Sequence, residues 1–328
     1  LEDTGRVFKS GAASFFSVDD AWGSFEIAIM HRSVMLEEVL VWLQPKAGGL
    51  YFDGTIGAGG HSRAILEANG PAGRIIGLDR DAAAADVARQ ALLPFGERVV
   101  IMQAHYRDAE QIVRDATTRG LDGAILDLGV SSMQVDTAAR GFSFMAEGPL
   151  DMRMDQREPL TAADLVNRLS ERELTRILFE YGEERYARRI ARAIMRRRAK
   201  GPILTTLEMV DVIRGTVPPA YAHGRLHCAT RTFQALRIVV NRELEDLGPS
   251  LQKIAGLLRP GGRFVVLAFH SLEDRIVKQT FRGLAHGTDA DFVILTKRPV
   301  TPSDRECVEN PRARSAKLRV LARREEAA

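Results

Sequence analysis

The sequence predicts an α/β fold: a mostly parallel sheet covered by helices on both faces, interrupted by an all-helical insertion. Three observations predict it. Short apolar runs alternate with Ala-rich helical stretches, the pattern of consecutive βαβ units. The loop after the first run is crowded with glycine, Asp53-Gly54-Thr55-Ile56-Gly57-Ala58-Gly59-Gly60-His61. Between Met133 and about Arg225 the strand signal vanishes, and the alternation resumes afterwards.

The first 29 residues lack either periodicity and mix Gly, Ser, Asp and isolated aromatics. They have no apolar h-region, and five acidic residues disfavour a transit peptide, so 1–29 reads as a poorly ordered leader. The folded part is expected from Met30-His31. Strands are expected at Leu50–Phe52, Arg74–Leu78, Val99–Gln103 and Ala124–Leu128, with helices at about Ser62–Ala68 and Asp81–Leu93. Later strands are expected at Arg263–Phe269, Phe292–Lys297 and Leu318–Leu321. No helix is read between them, which predicts an antiparallel hairpin at the end of the sheet. Inside the interruption, Thr161 with Asp164, Ser170 with Glu173, and Thr205 with Glu208 have the spacing of N-terminal capping boxes. An insertion at 133–225 within a domain formed by 30–132 and 226–328 accounts for the pattern.

Composition fits this architecture. The chain has 328 residues, 45% of them apolar and 27% charged, enough to bury a real core and too apolar for a disordered chain. No run of eighteen apolar residues supplies a transmembrane helix. Cys228 and Cys307 form no CxxC, so neither a disulfide framework nor a zinc ribbon is expected, and a reducing compartment is the simplest setting. Net charge is +3, but seven arginines and one lysine fall between Arg185 and Lys200 without an acid. A stripe of that density suggests a polyanionic partner, although a solvated helix face would look similar.

The glycine loop lets backbone approach a ligand and ends on a helix N-terminus. A dinucleotide fingerprint needs glycine where Ser62 stands, which disfavours a nicotinamide enzyme, and no Walker lysine follows. The loop instead resembles the first motif of class I S-adenosylmethionine-dependent methyltransferases. Asp79, at the end of the second strand, is placed to accept ribose hydroxyls; alternatively Asp79 or Asp81 simply caps the next helix. Asp127 ends the fourth strand above the crevice of such folds and could accept a hydrogen bond from an amine, or serve only as a cap. A helix is predicted over Ala229–Leu247, with Phe233, Leu236, Val240, Leu244 and Leu247 on one face. Arg231, Gln234 and Asn241 lie away from that face and Arg237 at its boundary. On pattern alone its polar face is solvated. His270 is either packed or a base contact. His223, His227 and Cys228 lack a fourth ligand, so no metal is expected.

Longer strings then converge. They are Asp53–Ser62, Leu126–Ser132, Arg140-Gly141-Phe142-Ser143-Phe144, Gly148–Asp155, Tyr181-Gly182-Glu183-Glu184-Arg185, Ala229–Ile238, Phe269–Arg275 and Asn310–Ser315. In this order they closely resemble the bacterial 16S rRNA cytosine-N4 methyltransferase family (RsmH, formerly MraW), over His31 to about Arg323. The resemblance implies a class I (Rossmann-like) S-adenosylmethionine-dependent methyltransferase with an inserted all-helical substrate-recognition domain. It implies S-adenosylmethionine as donor and the N4 amine of a decoding-centre (P-site) cytidine as acceptor, in 16S rRNA within the small subunit or a late precursor. A cytoplasmic location follows, with no membrane partner and a homodimer left open.

Cofactor contacts implied are Gly59, Gly60, His61, Asp79, Tyr106, Asp127 and Gln134. Asp127 is also the catalytic candidate. RNA contacts implied or suggested are Arg188, Arg189, Arg192, Arg196, Arg231, Arg237 and His270, with the Pro311–Arg314 tail as a further basic segment. The family carries phenylalanine where Tyr106 stands and proline where Cys228 stands. No Asp-Pro-Pro-Tyr-type motif is present, so the amine site must be built differently from that of DNA amino-methyltransferases. Rival readings are amino methylation of DNA or another RNA, and an RNA-binding assembly factor with a vestigial pocket; the intact loop with Asp79 and Asp127 disfavours the last.

Overall fold

The computed structural model describes residues 33–287 and 290–325. The expected leader 1–29 and the start at Met30-His31 lie outside the described residues. Among the described residues, seven strands form one sheet in the order β3-β2-β1-β4-β5-β7-β6. They are β1 (Leu50–Asp53), β2 (Arg74–Asp79), β3 (Val99–Gln103), β4 (Leu121–Asp127), β5 (Leu258–Ala268), β6 (Phe292–Ile294) and β7 (Lys317–Arg323). The first five are mutually parallel, whereas β7 runs antiparallel to both β5 and β6. Each expected strand is present.

The end of the sheet differs in its connections. Helix Ser271–Leu284 intervenes between β5 and β6, and β6 reaches β7 through a helix at Asp304–Glu309 and a 3₁₀ turn at Pro311–Ser315. The antiparallel ladder is real, but no tight hairpin makes it. Segments rich in Arg, Pro and Asp hid the two short elements before β7, whereas the 14-residue helix Ser271–Leu284, with Val277 and Phe281 buried, was passed over in the reading of late strands alone.

Strand residues alternate between two apolar layers. Phe52, Leu78, Leu126, Phe264 and Val266 pack with the helices at Ala109–Ala116, Leu247–Gly256 and Ser271–Leu284. Tyr51, Ile75, Ile125, Val265 and Leu267 pack on the other side with Leu36–Leu43, Gly60–Ala68 and Ala82–Ala91. Both faces are covered, which is why the inner strands read as continuous apolar runs. Among the described residues no helix is long and apolar enough to cross a membrane.

A third apolar cluster belongs to the helices Ala162–Arg168, Glu171–Glu180, Ala187–Arg198 and Thr206–Arg214. All three expected capping boxes close: Thr161, Ser170 and Thr205 each accept the backbone N–H of Asp164, Glu173 and Glu208, whose carboxylates reach back. Helix Thr230–Asn241 contributes Phe233, Ala235, Leu236 and Val240 to this cluster. Its core therefore lies with the helical block, although its sequence lies beyond residue 225.

Candidate active site

The glycine loop is pinned on both flanks. Gly54 N–H donates to Ile125 O, Ile56 N–H to Leu78 O, and Gly57 N–H to Asp79 Oδ2 at 3.0 Å. Gly57 and Gly59 take φ of 54° and 85°, a left-handed region that side chains resist. A Cβ on Gly60 would strike Ser33 Oγ. Ser62, the residue that breaks the dinucleotide pattern, donates to buried Asp53 Oδ2 at 2.7 Å. Burial pushes the Asp53 carboxyl up to about 6.

Loop, strand ends and the Asn310–Ser315 turn enclose a cavity of about 790 Å³, within the size range of small-molecule sites. It opens at the carboxyl ends of β1, β2 and β4, where the strand order reverses between β1 and β4. Gly60, His61, Asp79, Tyr106, Asp127 and Gln134 all line it. Gly59 does not; it caps the helix from behind, beside Leu92.

Each side chain has a distinct state. Asp79 accepts Gly57 N–H and Asp81 N–H on different oxygens, and burial raises its pKa to about 6. Asp81, not Asp79, is the helix cap, accepting Ala83 N–H. Gln134 is buried and committed at both ends, donating to Asp81 Oδ2 at 2.8 Å and accepting Ser131 N–H. It shapes the wall more than it offers free donors. Burial raises the Tyr106 phenol, which stays protonated and leans on the His105 ring. His105 is lowered to about 3 by burial and by the Arg80 and Arg107 charges, so it is neutral near pH 7.

Asp127 and His61 stand apart from this saturated wall. Asp127 N–H donates to Thr55 Oγ1 at 2.6 Å, which fixes the backbone. Its Oδ1 is buried without a hydrogen-bond partner, as are both ring nitrogens of His61. His61 Nε2 lies 3.6 Å from Asp127 Oδ2. Unmatched polar atoms inside a cavity are costly unless a ligand completes them. Both fit a ligand carrying an amine.

The wall opposite the loop carries a charged group in which Arg237 and His270, expected as RNA contacts, meet two residues that sequence reasoning missed, Glu243 and Glu273. Arg237 Nε and Nη2 donate to Glu243 at 2.9 and 2.8 Å, a bidentate pair. Glu273 lies beside it. Burial alone would raise its pKa, but His270, Arg237 and the Phe269 N–H outweigh burial and hold the carboxylate below its ordinary range. Arg237, Glu243 and Glu273 line the cavity. Glu243, His270 and Glu273 place potential ligand atoms within 4.8 Å of one another, but the Arg237 guanidinium already supplies the cation there. His270 caps helix Ser271–Leu284 through Nδ1, with Glu273 completing the box. It is a packed histidine whose Nε2 lies 3.2 Å from Glu273 Oε1.

The helix expected over Ala229–Leu247 ends at Asn241, where Arg242 turns left-handed at φ 50°. That break swings Glu243 back to Arg237. The polar face is not solvated as its pattern suggests: Arg231 donates to Glu183 O and Gln234 to Tyr181 O. Asn241 is buried, donating to Met152 O and accepting Met154 N–H. Arg80 donates to Asn241 O, and Arg140 bridges Asp81 to Arg153 O and Met154 O. The Arg140–Phe144 and Gly148–Asp155 strings thus tie the helical block to the rim of the cavity.

On helix Ala187–Arg198, Arg188, Arg189, Arg192 and Arg196 are exposed over buried Ile190, Ala191 and Ile194. Arg192 reaches Glu171 at 3.5 Å. Arg197 and Arg198 turn inward, to Glu208 and to the Val166 and Leu169 carbonyls. The eight-cation stripe is therefore smaller at the surface than in the sequence.

A model of the MraW methylase family matches residues 28–324. The chain is 54% identical over 302 residues to the ribosomal RNA small subunit methyltransferase H of Geobacter sulfurreducens, covering 88% of this chain and 97% of the relative. The proteins of the same name in Geobacter sp. strain M21 and Syntrophotalea carbinolica are 52% and 50% identical, each over 89% of this chain and 97% or 98% of theirs. The matched span includes the glycine loop, the helical block and the Asn310–Ser315 turn, and the chain belongs to the MraW methylase family.

Proposed function

We propose that the protein methylates the N4 exocyclic amine of a decoding-centre (P-site) cytidine in 16S rRNA, within the small subunit or a late precursor of it. The coarser statement follows from the family: the chain is a methyltransferase that draws on S-adenosylmethionine, and its relatives bear the name of a small-subunit rRNA enzyme. S-adenosylmethionine, when bound, supplies an electrophilic methyl group on a sulfonium. The glycine cradle, the Asp79 carboxylate and the unmatched His61 and Asp127 atoms fit such a molecule. Asp79 would accept the ribose hydroxyls, Tyr106 would pack on the adenine, and His61 with the helix N-terminus would hold the amino-acid end.

The observation that carries the N4 reading is the buried, unpartnered Asp127 Oδ1 at the end of β4. A cytosine amine is a weak nucleophile because its lone pair is conjugated into the ring. A carboxylate accepting one N4–H localises that pair and stabilises the positive charge that develops on nitrogen. Alignment in the cavity supplies much of the remaining advantage. A stacked base must turn outward to arrive there. The exposed arginines of helix Ala187–Arg198 and Arg231 would grip the backbone as a sequence-blind contribution. Arg237 is spent on Glu243, so it serves the wall of the base pocket rather than a phosphate.

Small subunits lacking the modification, incubated with methyl-labelled S-adenosylmethionine and the protein, should acquire label in N4-methylcytidine after digestion to nucleosides. Label on another base, or saturable cofactor binding without transfer to any RNA, would refute this reading and favour the assembly-factor alternative.

A further inference from the structure

A second cavity, of about 370 Å³, lies on the outer edge of the sheet and shares no residue with the first. It sits between helix Ser271–Leu284 and strands β6 and β7. Phe281, Phe292 and Ile294 supply apolar lining, the first two buried. Five cations border it: Lys278, Arg282, Lys297, Arg319 and Arg324, with no acidic residue in the lining. Arg319 is buried and already paired with Asp274 at 2.6 Å, so its charge is spent. The other four have no ion pair or side-chain hydrogen bond to any described residue.

Four unpaired cations drawn from three segments onto one recess are an unfavourable arrangement in isolation. Lys278 and Arg282 are also i,i+4 neighbours on one helix, where like charges repel. Lys278 is half-buried and Arg282, Lys297 and Arg324 are exposed, so solvent moderates that repulsion while leaving the four heads free to meet an anion over the Phe281 and Phe292 floor. The group that fits is a phosphate ester, since it is anionic and offers oxygens to several donors at once.

We infer that this recess binds a backbone phosphate of the RNA substrate, anchoring the strand away from the methyl-transfer cavity. The inference rests on the proposed RNA methylation. Lys278 and Arg282 stand seven and eleven residues beyond Ser271, about 10 and 16 Å along the helix. Ser271 follows Phe269, which lines the first cavity. A strand whose reacting base enters that cavity therefore finds a second, fixed cationic point a few nucleotides away. Such an anchor sets register without reading sequence.

The test is a variant of the whole protein with Lys278→Gln, Arg282→Gln, Lys297→Gln and Arg324→Gln. The logarithm of RNA affinity is plotted against the logarithm of salt concentration. The slope should become shallower by about 0.7–0.9 for each phosphate the variant no longer neutralises. KM for RNA should rise at least tenfold, with kcat at saturating RNA and S-adenosylmethionine affinity kept. An unchanged slope and KM would overturn the site. If S-adenosylmethionine affinity also falls, the charge-preserving set Lys278→Arg, Arg282→Lys, Lys297→Arg and Arg324→Lys decides. Wild-type RNA binding there supports the site, and abolished binding overturns it. Inorganic pyrophosphate gives the other source of the same chemistry: saturable binding abolished in the Gln variant, with the RNA slope untouched, would assign the recess to a free phosphate compound and refute the RNA anchor. Failure of the wild-type protein to methylate RNA would instead defeat the proposed function, so the two failures are distinguishable.

Discussion

Asp79 holds the glycine loop closed, taking Gly57 N–H and Asp81 N–H on separate oxygens while lining the cavity. Asp79→Ala should weaken S-adenosylmethionine binding by about 1.5–3 kcal/mol, the loss of charge-assisted hydrogen bonds. Calorimetric titration measures it, and unchanged affinity would remove Asp79 from the site. The pH dependence has a definite sign. Burial raises this carboxyl to about 6, so its anion forms above that pH and is lost below it. Cofactor affinity should be full above pH 7 and fall as pH drops through about 6, and Asp79→Ala should flatten that fall. Asp53 shares the elevated value but works on stability. Its native pKa exceeds the unfolded one, so its contribution is complete below about 4 and lost as pH rises through about 6. Asp127→Asn separates two roles. If the carboxylate polarises the amine, kcat should fall by about 10²–10³ with modest change in cofactor affinity. A loss confined to cofactor affinity, with kcat kept at saturation, would make Asp127 a cofactor contact only.

Elements whose signals are local were legible. Three capping boxes close as their spacing predicts, because a Ser or Thr and an acid three residues on need only each other. The helix after Ala229 was legible at its start but not at its end. Apolar residues continue in register through Leu244 and Leu247, and no glycine or proline marks the left-handed Arg242. The helix stops where Arg242 turns left-handed and Glu243 folds back on Arg237, six positions earlier, a spacing that falls outside the i,i+3 and i,i+4 pairs of a continuing helix. Asn241 reads as a surface residue because its partners, Met154 N–H and Met152 O, lie 87 and 89 positions away. On helix Ala187–Arg198, the exposed arginines remain after the inward pair is removed. Replacing Arg188, Arg189, Arg192 and Arg196 with Gln should spare cofactor affinity and flatten the salt dependence of RNA binding. An unaltered slope in filter binding across a salt series would count against this helix as an RNA contact.

At the scale of the molecule, the sheet was read nearly complete because buried parallel strands are continuous apolar runs between turn residues. The joins near its end were not, since β7 inserts between β5 and β6 after a polar stretch with its own short helices. Of the site, the residues at strand ends and in the glycine loop were legible from chemistry and spacing. Arg237 and His270 were legible only as candidate RNA contacts; their joining with Glu243 and Glu273 into one wall was not, because two segments meet there only when the chain folds. The helical block is tied to the rim by Arg140, Arg80 and Asn241. On the proposed function, a substrate gripped there would be held against the crevice that takes the methyl donor. The central claim is that this crevice presents the donor to a cytosine amine of the small-subunit RNA. Its most direct measurement is mass spectrometry of digested 16S rRNA from a strain lacking the gene, with and without the restored protein. The expected difference is one methyl group on N4 of a single decoding-centre cytidine, absent in the deletion and returned by the wild type but not by Asp127→Asn. Identical digests, or a missing methyl on a different atom or base, would contradict it.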